Sequence, residues 1–158
     1  MSEPVLPIRR VGIDSWRESS RAARQAGTGE VQVTDMKATA ILLFAHGSRT
    51  AGWAAPFSEI RDRLRKARPD IAVELAFLEF MQPDLGAGIQ RLAAGGADRI
   101  VVCPLFLGAG GHVSKDLPLL IAAARERWPG LAIDCTPTLG EAPEVLDAIA
   151  ASLLQLLR

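Results

Sequence analysis

Thr39-Ala40-Ile41-Leu42-Leu43-Phe44-Ala45 is a continuous apolar run of strand length that stops at His46-Gly47-Ser48. A strand with one wet face alternates polar with apolar residues. An unbroken run belongs instead to an inner strand of a parallel sheet that is covered on both faces. Downstream, Pro56 suits the first turn of a helix, and Phe57, Ile60 and Leu64 recur at helical spacing up to Arg68-Pro69. Ile71 to Leu78 reads as a second strand, with Val73, Leu75 and Phe77 on one face. Pro83 opens a second helix whose stripe is Leu85, Ile89 and Leu92, stopped by Gly95-Gly96. Arg99 to Pro104 is a third strand, followed by a glycine-rich stretch from Leu105 to Ser114. A third helix is expected from about Asp116 or Leu117 to Trp128, and a fourth strand from Leu131 to Thr136. The last helix runs from about Pro143 to Leu157, with Val145, Leu146, Ile149, Leu153 and Leu156 or Leu157 expected to face inward. Four strand–helix units with crossovers of this length predict an α/β domain of three layers, α/β/α, around a parallel sheet.

Residues 36–158 therefore read as a single domain, and residues 1–35 as an N-terminal extension, either flexible or foreign to that domain. The first 35 residues carry Arg9, Arg10, Arg17, Arg21 and Arg24 among small residues and show little apolar periodicity, and Met36 precedes the first clear strand. At 158 residues the chain can bury one real core but not comfortably two. Its 18 Lys and Arg balance 18 Asp and Glu, with no local basic patch, no tyrosine and aromatics at 5%. A nucleic-acid partner is not expected from that balance. No apolar run reaches the roughly 18 residues of a membrane span. Val5-Leu6-Pro7-Ile8 is too short for a signal peptide, so a soluble cytoplasmic protein is expected. Cys103 and Cys135 lie in apolar runs and read as buried thiols of a reducing compartment.

In an open parallel sheet, ligands bind beyond the carboxyl ends of the strands, where strand order reverses. His46 and His112, the only two histidines, both fall after strands and beside glycine. In a sheet of order 2-1-3-4, strands one and three are central neighbours, and the two imidazoles face one crevice. Imidazoles are borderline ligands suited to Co, Ni, Fe or Zn, and near neutral pH they also accept protons. Two nitrogens fall short of a closed structural zinc site and fit a cation that is held weakly and released. Glu79 follows strand two between Leu78 and Phe80, where a carboxylate among apolar residues needs a partner or a function. Asp84 reads as a first-turn acid of the second helix, and Cys103 as core packing. Gly47-Ser48-Arg49 and Gly108-Ala109-Gly110-Gly111 offer close backbone approach and donors for acidic groups. Leu105, Phe106 and Leu107 offer apolar surface for a flat ligand or a partner chain, and Trp53 a wall at the mouth. Neither GxGxxG, GxxxxGK[ST] nor GxSxG is present, so dinucleotide, P-loop and serine-hydrolase readings lose their main support.

Three stretches taken together carry a family resemblance. They are Leu42 to Arg49, Phe77-Leu78-Glu79 with Pro83, and Pro104 to Gly108 continuing through Gly111-His112-Val113-Ser114-Lys115-Asp116-Leu117-Pro118. With Thr138-Leu139-Gly140 and Pro143, they make residues 38–157 resemble the small sirohydrochlorin chelatases of the short CbiX type. The resemblance implies a chelatase-like fold with sheet order 2-1-3-4. It also implies ATP-independent insertion of a divalent metal into sirohydrochlorin, on the cobalamin or sirohaem route. Cobalt is the expected metal, with iron or nickel as alternatives, and no nucleotide is expected. His46 and His112 match the family's metal-site histidines, and Glu79 matches its strand-exit acid. Ser48, Arg49, Gly108, Gly110 and Gly111 are then expected at the tetrapyrrole's carboxylates. Short members look like half of the two-lobed chelatases, which implies a homodimer. The alternatives are a metal-delivery protein of the same fold without turnover, a phosphate-handling hydrolase using His46, and a non-catalytic ligand-binding domain.

Overall fold

The computed structural model describes residues 38–108 and 110–157, and of residues 111–114 the backbone only. The expected extension, residues 1–35, lies outside the described residues. Strands β1 (Thr39–Ala45), β2 (Ala72–Phe77), β3 (Arg99–Pro104) and β4 (Ala132–Cys135) form one parallel sheet in the order β2-β1-β3-β4. Among the described residues the helices are α1 (Ala55–Ala67), α2 (Leu85–Ala94), α3 (Gly111–Arg127) and α4 (Pro143–Leu154). None of these helices is long and apolar enough to cross a membrane.

The continuous apolar run of β1 is divided by the pleat between two cores. Ala40, Leu42 and Phe44 join Leu85, Ile89 and Leu92 of α2 and Leu117, Ile121 and Ala124 of α3 on one face. Leu43 and Ala45 join Val73, Leu75 and Phe77 on the other face, against Phe57 and Leu64 of α1. Helices thus cover both faces of the sheet, and β1, hydrogen-bonded on both sides, exposes a polar residue only at its first position, Thr39. Close approach of α2 depends on Gly88, where an added Cβ would lie 2.9 Å from Leu42 Cδ1 and 3.1 Å from Ala76 Cβ. Asp84 is the N-cap of α2 rather than a first-turn residue, and its Oδ1 accepts the Ala87 N–H at 2.8 Å. At the sheet edge, Arg65 donates to the Val73 carbonyl and pairs with Glu74, which blunts a free strand edge.

Three further expectations about the elements and thiols need correction. Helix α3 begins at Gly111, about five residues before the expected start, and Pro118 sits inside it. Proline favours a first turn, but here the helix absorbs the missing bond, and its first turn moves up to the end of β3. His112 therefore stands in that first turn and not in a loop. The second correction concerns α4. Val145 is half-buried, but the other expected residues do not face inward: Leu146 is 50% exposed, Ile149 37%, Leu153 58%, and Leu156 and Leu157 of the following 3₁₀ turn 78% and 82%. Periodicity tells which residues share a face, not what covers it. The third is Cys135, which is exposed, whereas Cys103 is half-buried with its thiol pushed up to about 11 by burial. Both are free thiols.

Candidate functional site

Chain pairing between β1 and β2 continues past both strand ends. The Leu78 N–H donates to the Ala45 carbonyl and the Glu79 N–H to the His46 carbonyl, each at 2.9 Å. Gly47 makes that approach possible. Its φ is +91°, and an added Cβ would lie only 1.9 Å from the Glu79 carbonyl oxygen. His46 and Glu79 are therefore set side by side on the carboxyl edge of the sheet by backbone contacts.

The third strand exit is fixed to the same edge. The Leu105 N–H donates to the Phe44 carbonyl at 2.8 Å, and buried Phe106 packs its ring edge-on to Phe44. The His46 imidazole rests against Phe106 with ring centroids 4.6 Å apart. Its ring is thus oriented by a core aromatic while the residue stays exposed to solvent. Gly140, after β4, donates to the Phe106 carbonyl at 3.0 Å, and an added Cβ there would lie 1.7 Å from the Leu107 carbonyl oxygen. This seam ties the fourth strand exit to the third. At Gly108 and Gly110 an added Cβ would meet nothing within 4 Å, so packing does not demand glycine at either position.

Glu79 is exposed and not held among apolar side chains as expected. The turn it begins is unusual. The Met81 N–H donates to the Glu79 carbonyl at 2.8 Å, closing a three-residue turn with Phe80 at its centre at φ +62°. Such turns are rare and strained, and a bulky residue in the left-handed region costs on the order of 1–3 kcal/mol. Phe80 is 56% exposed, and the Arg49 guanidinium lies over its ring, 4.8 Å from the centroid. An exposed cation–π contact returns about 0.5–1 kcal/mol, less than the strain it accompanies. Nothing in the sequence marked Phe80 beyond its being an apolar neighbour of Glu79.

Among the other expected residues, Ser48 is half-buried and its hydroxyl oxygen accepts the Thr50 N–H at 3.0 Å. Trp53 packs on Phe57, with centroids 4.8 Å apart, and belongs to the core beneath α1. His112 and Gly111 are placed by backbone in the first turn of α3, after the Gly110 N-cap, and the His112 side chain lies outside the described residues. Among the described residues no group of three or more His, Cys, Asp or Glu could hold a metal ion. A groove of about 350 Å³ bordered by Arg65, Glu74 and Leu92 involves the start of β2, not the strand exits.

A family model described as CbiX matches residues 40–156. The chain belongs to the CbiX family. A sirohydrochlorin cobaltochelatase of Saccharolobus solfataricus is 35% identical over 100 residues, which is 61% of this chain and 77% of that protein. Among solved structures, a cobalamin (vitamin B12) biosynthesis CbiX protein from Marinobacter aquaeolei superposes with a TM-score of 0.66 at 28% identity, over 75% of this chain and 94% of its own. The sirohydrochlorin chelatase SirB from Bacillus subtilis subspecies spizizenii, solved with cobalt, also gives 0.66, at 29% identity over 76% of this chain but 51% of SirB. SirB from Bacillus subtilis has also been solved with Fe3+. This CbiX chain thus matches nearly all of a short relative and about half of a long one.

Proposed function

We propose that the protein inserts a divalent metal ion, cobalt in the first place, into sirohydrochlorin without nucleotide hydrolysis. The observation that carries this reading is the locked pairing of His46 with Glu79 through Gly47, with the first turn of α3, and so His112, following β3 at the neighbouring exit. The named activities of the S. solfataricus relative and of SirB support the substrate. Iron and nickel remain the alternative metals, because nitrogen and oxygen donors do not by themselves select among them.

Metalation exchanges two pyrrole N–H protons for one divalent cation, so the site must present the metal, accept protons and hold the ring. His46 and His112 present the cation, and either imidazole takes up a proton. Glu79 completes the ligand set or carries the second proton away. A donor set this incomplete binds metal weakly enough to give it up to four pyrrole nitrogens. Ser48, Arg49 and the backbone amides of Gly108, Gly110 and Gly111 hold the peripheral carboxylates.

The working unit we propose is a homodimer joined through α4. Leu146, Ile149, Leu153 and Leu156 repeat at spacings of three and four, the seam of a helix pair, and all are exposed. With Leu154 and Leu157 they present roughly 600 Å² of apolar surface, as large as any patch a monomer usually shows and near the ~800 Å² per partner of a standard interface. A second copy would supply the half of SirB that this chain does not match.

Anaerobic incubation of the full chain with cobalt and sirohydrochlorin, followed by absorbance, tests the activity, with parallel rates for Fe(II) and Ni(II). A metalated spectrum formed at catalytic protein concentration is expected. Metal binding without any spectral change of the tetrapyrrole would favour the delivery-protein alternative. Sedimentation velocity tests the assembly: the native chain should sediment as a dimer and the Leu153→Glu variant as a folded monomer.

A further inference from the structure

We infer that Phe80, with the Arg49 guanidinium stacked over it, is a specificity-determining platform for a flat, carboxylate-rimmed macrocycle. The inference deepens the chelatase reading and rests on it. Three observations on one turn lead there. A phenylalanine occupies a backbone position, φ +62°, that glycine would take without strain. More than half of the residue is left exposed, so burial does not offset the strain. The turn starts at Glu79, whose backbone is fastened to His46, so the ring stands at the mouth of the metal-presenting edge.

The pairing with Arg49 supplies the second half of the recognition. Arg49 leaves β1 three residues after His46, whereas Phe80 leaves β2, and their side chains meet 4.8 Å apart. An apolar aromatic surface and a permanent cation are thereby offered together at one rim. A conjugated ring system gains from lying against the first, and a carboxylate at its periphery gains from the second. A bare metal ion needs neither. The pair should therefore govern binding of the tetrapyrrole and leave cation affinity untouched.

The test compares Phe80→Gly, Phe80→Trp and Arg49→Met with the native chain, measuring sirohydrochlorin binding without metal, cobalt binding without tetrapyrrole, and steady-state metalation. Phe80→Gly should fold with a melting temperature no lower than native, since glycine suits the turn. It should raise KM for sirohydrochlorin by about ten-fold, the scale of one lost stacking contact, with kcat and cobalt affinity changed less than about three-fold. Phe80→Trp should restore most of the binding. Arg49→Met should weaken sirohydrochlorin more than an analogue with its carboxylates esterified. Phe80→Gly with native KM and native tetrapyrrole binding would overturn the inference while leaving the chelatase reading intact. A native chain that neither binds nor metalates sirohydrochlorin would overturn both.

Discussion

On the proposed mechanism, replacing His46 by alanine should lower the initial rate of cobalt insertion at limiting metal by about 100-fold or more, the range expected when a positioned proton acceptor is lost, with a proposed metal ligand lost besides. The size of the effect follows from scarcity. The chain has only two histidines, and the His46 ring is held in a defined orientation, against Phe106 at 4.6 Å. Its backbone would stay in place, because the carbonyl that accepts the Glu79 N–H belongs to residue 46 whatever its side chain. His46 is exposed, so stability should change by no more than about 0.5–1 kcal/mol. Loss of rate with a native melting temperature is the signature of a chemical role. Higher cobalt concentrations should recover part of the rate, since the proposed His112 ligand remains. A His46→Ala variant with native rates at limiting cobalt would remove the histidine from the mechanism.

Gly47→Ala should be damaging for a different reason. Its Cβ would be 1.9 Å from the Glu79 carbonyl oxygen at a φ of +91°, and the obstructing atom is backbone. The β1 and β2 exits must part to admit it, which breaks the Glu79-to-His46 bond and strains the turn. A loss of about 2–4 kcal/mol in denaturant unfolding is expected, together with loss of metalation. Gly108→Ala is the control for stability, because a Cβ there meets nothing within 4 Å, and its unfolding free energy should stay within about 0.5 kcal/mol of native. Equal destabilisation at both positions would mean that Gly47 is not the spacer described.

The sheet was legible because its signals are local. The β1 run could only be an inner strand, and Gly95-Gly96 after the Leu85, Ile89 and Leu92 stripe marks the end of α2. The start of α3 was harder, since glycines that permit a loop also permit an N-cap, and Pro118 is a starting signal that the helix carries in its interior. The outward face of α4 could not be read, because an apolar stripe looks the same against a sheet or a second chain. At the site, the positions of His46 and Glu79 followed from strand ends and from the family's motifs. Phe80 did not, since a positive φ on a phenylalanine leaves no trace in the letters. The contact of Phe106 with His46 was equally silent, for it joins residues that are 60 positions apart in the chain.

Because the protein has only two histidines, a cobalt titration followed by nitrogen-15 imidazole NMR reads the central claim directly. If His46 and His112 present one ion together, the ring resonances of both respond with a single shared midpoint, and either alanine variant weakens the response of the histidine that remains. A titration in which only one ring responds, or in which the two respond independently, would contradict the account.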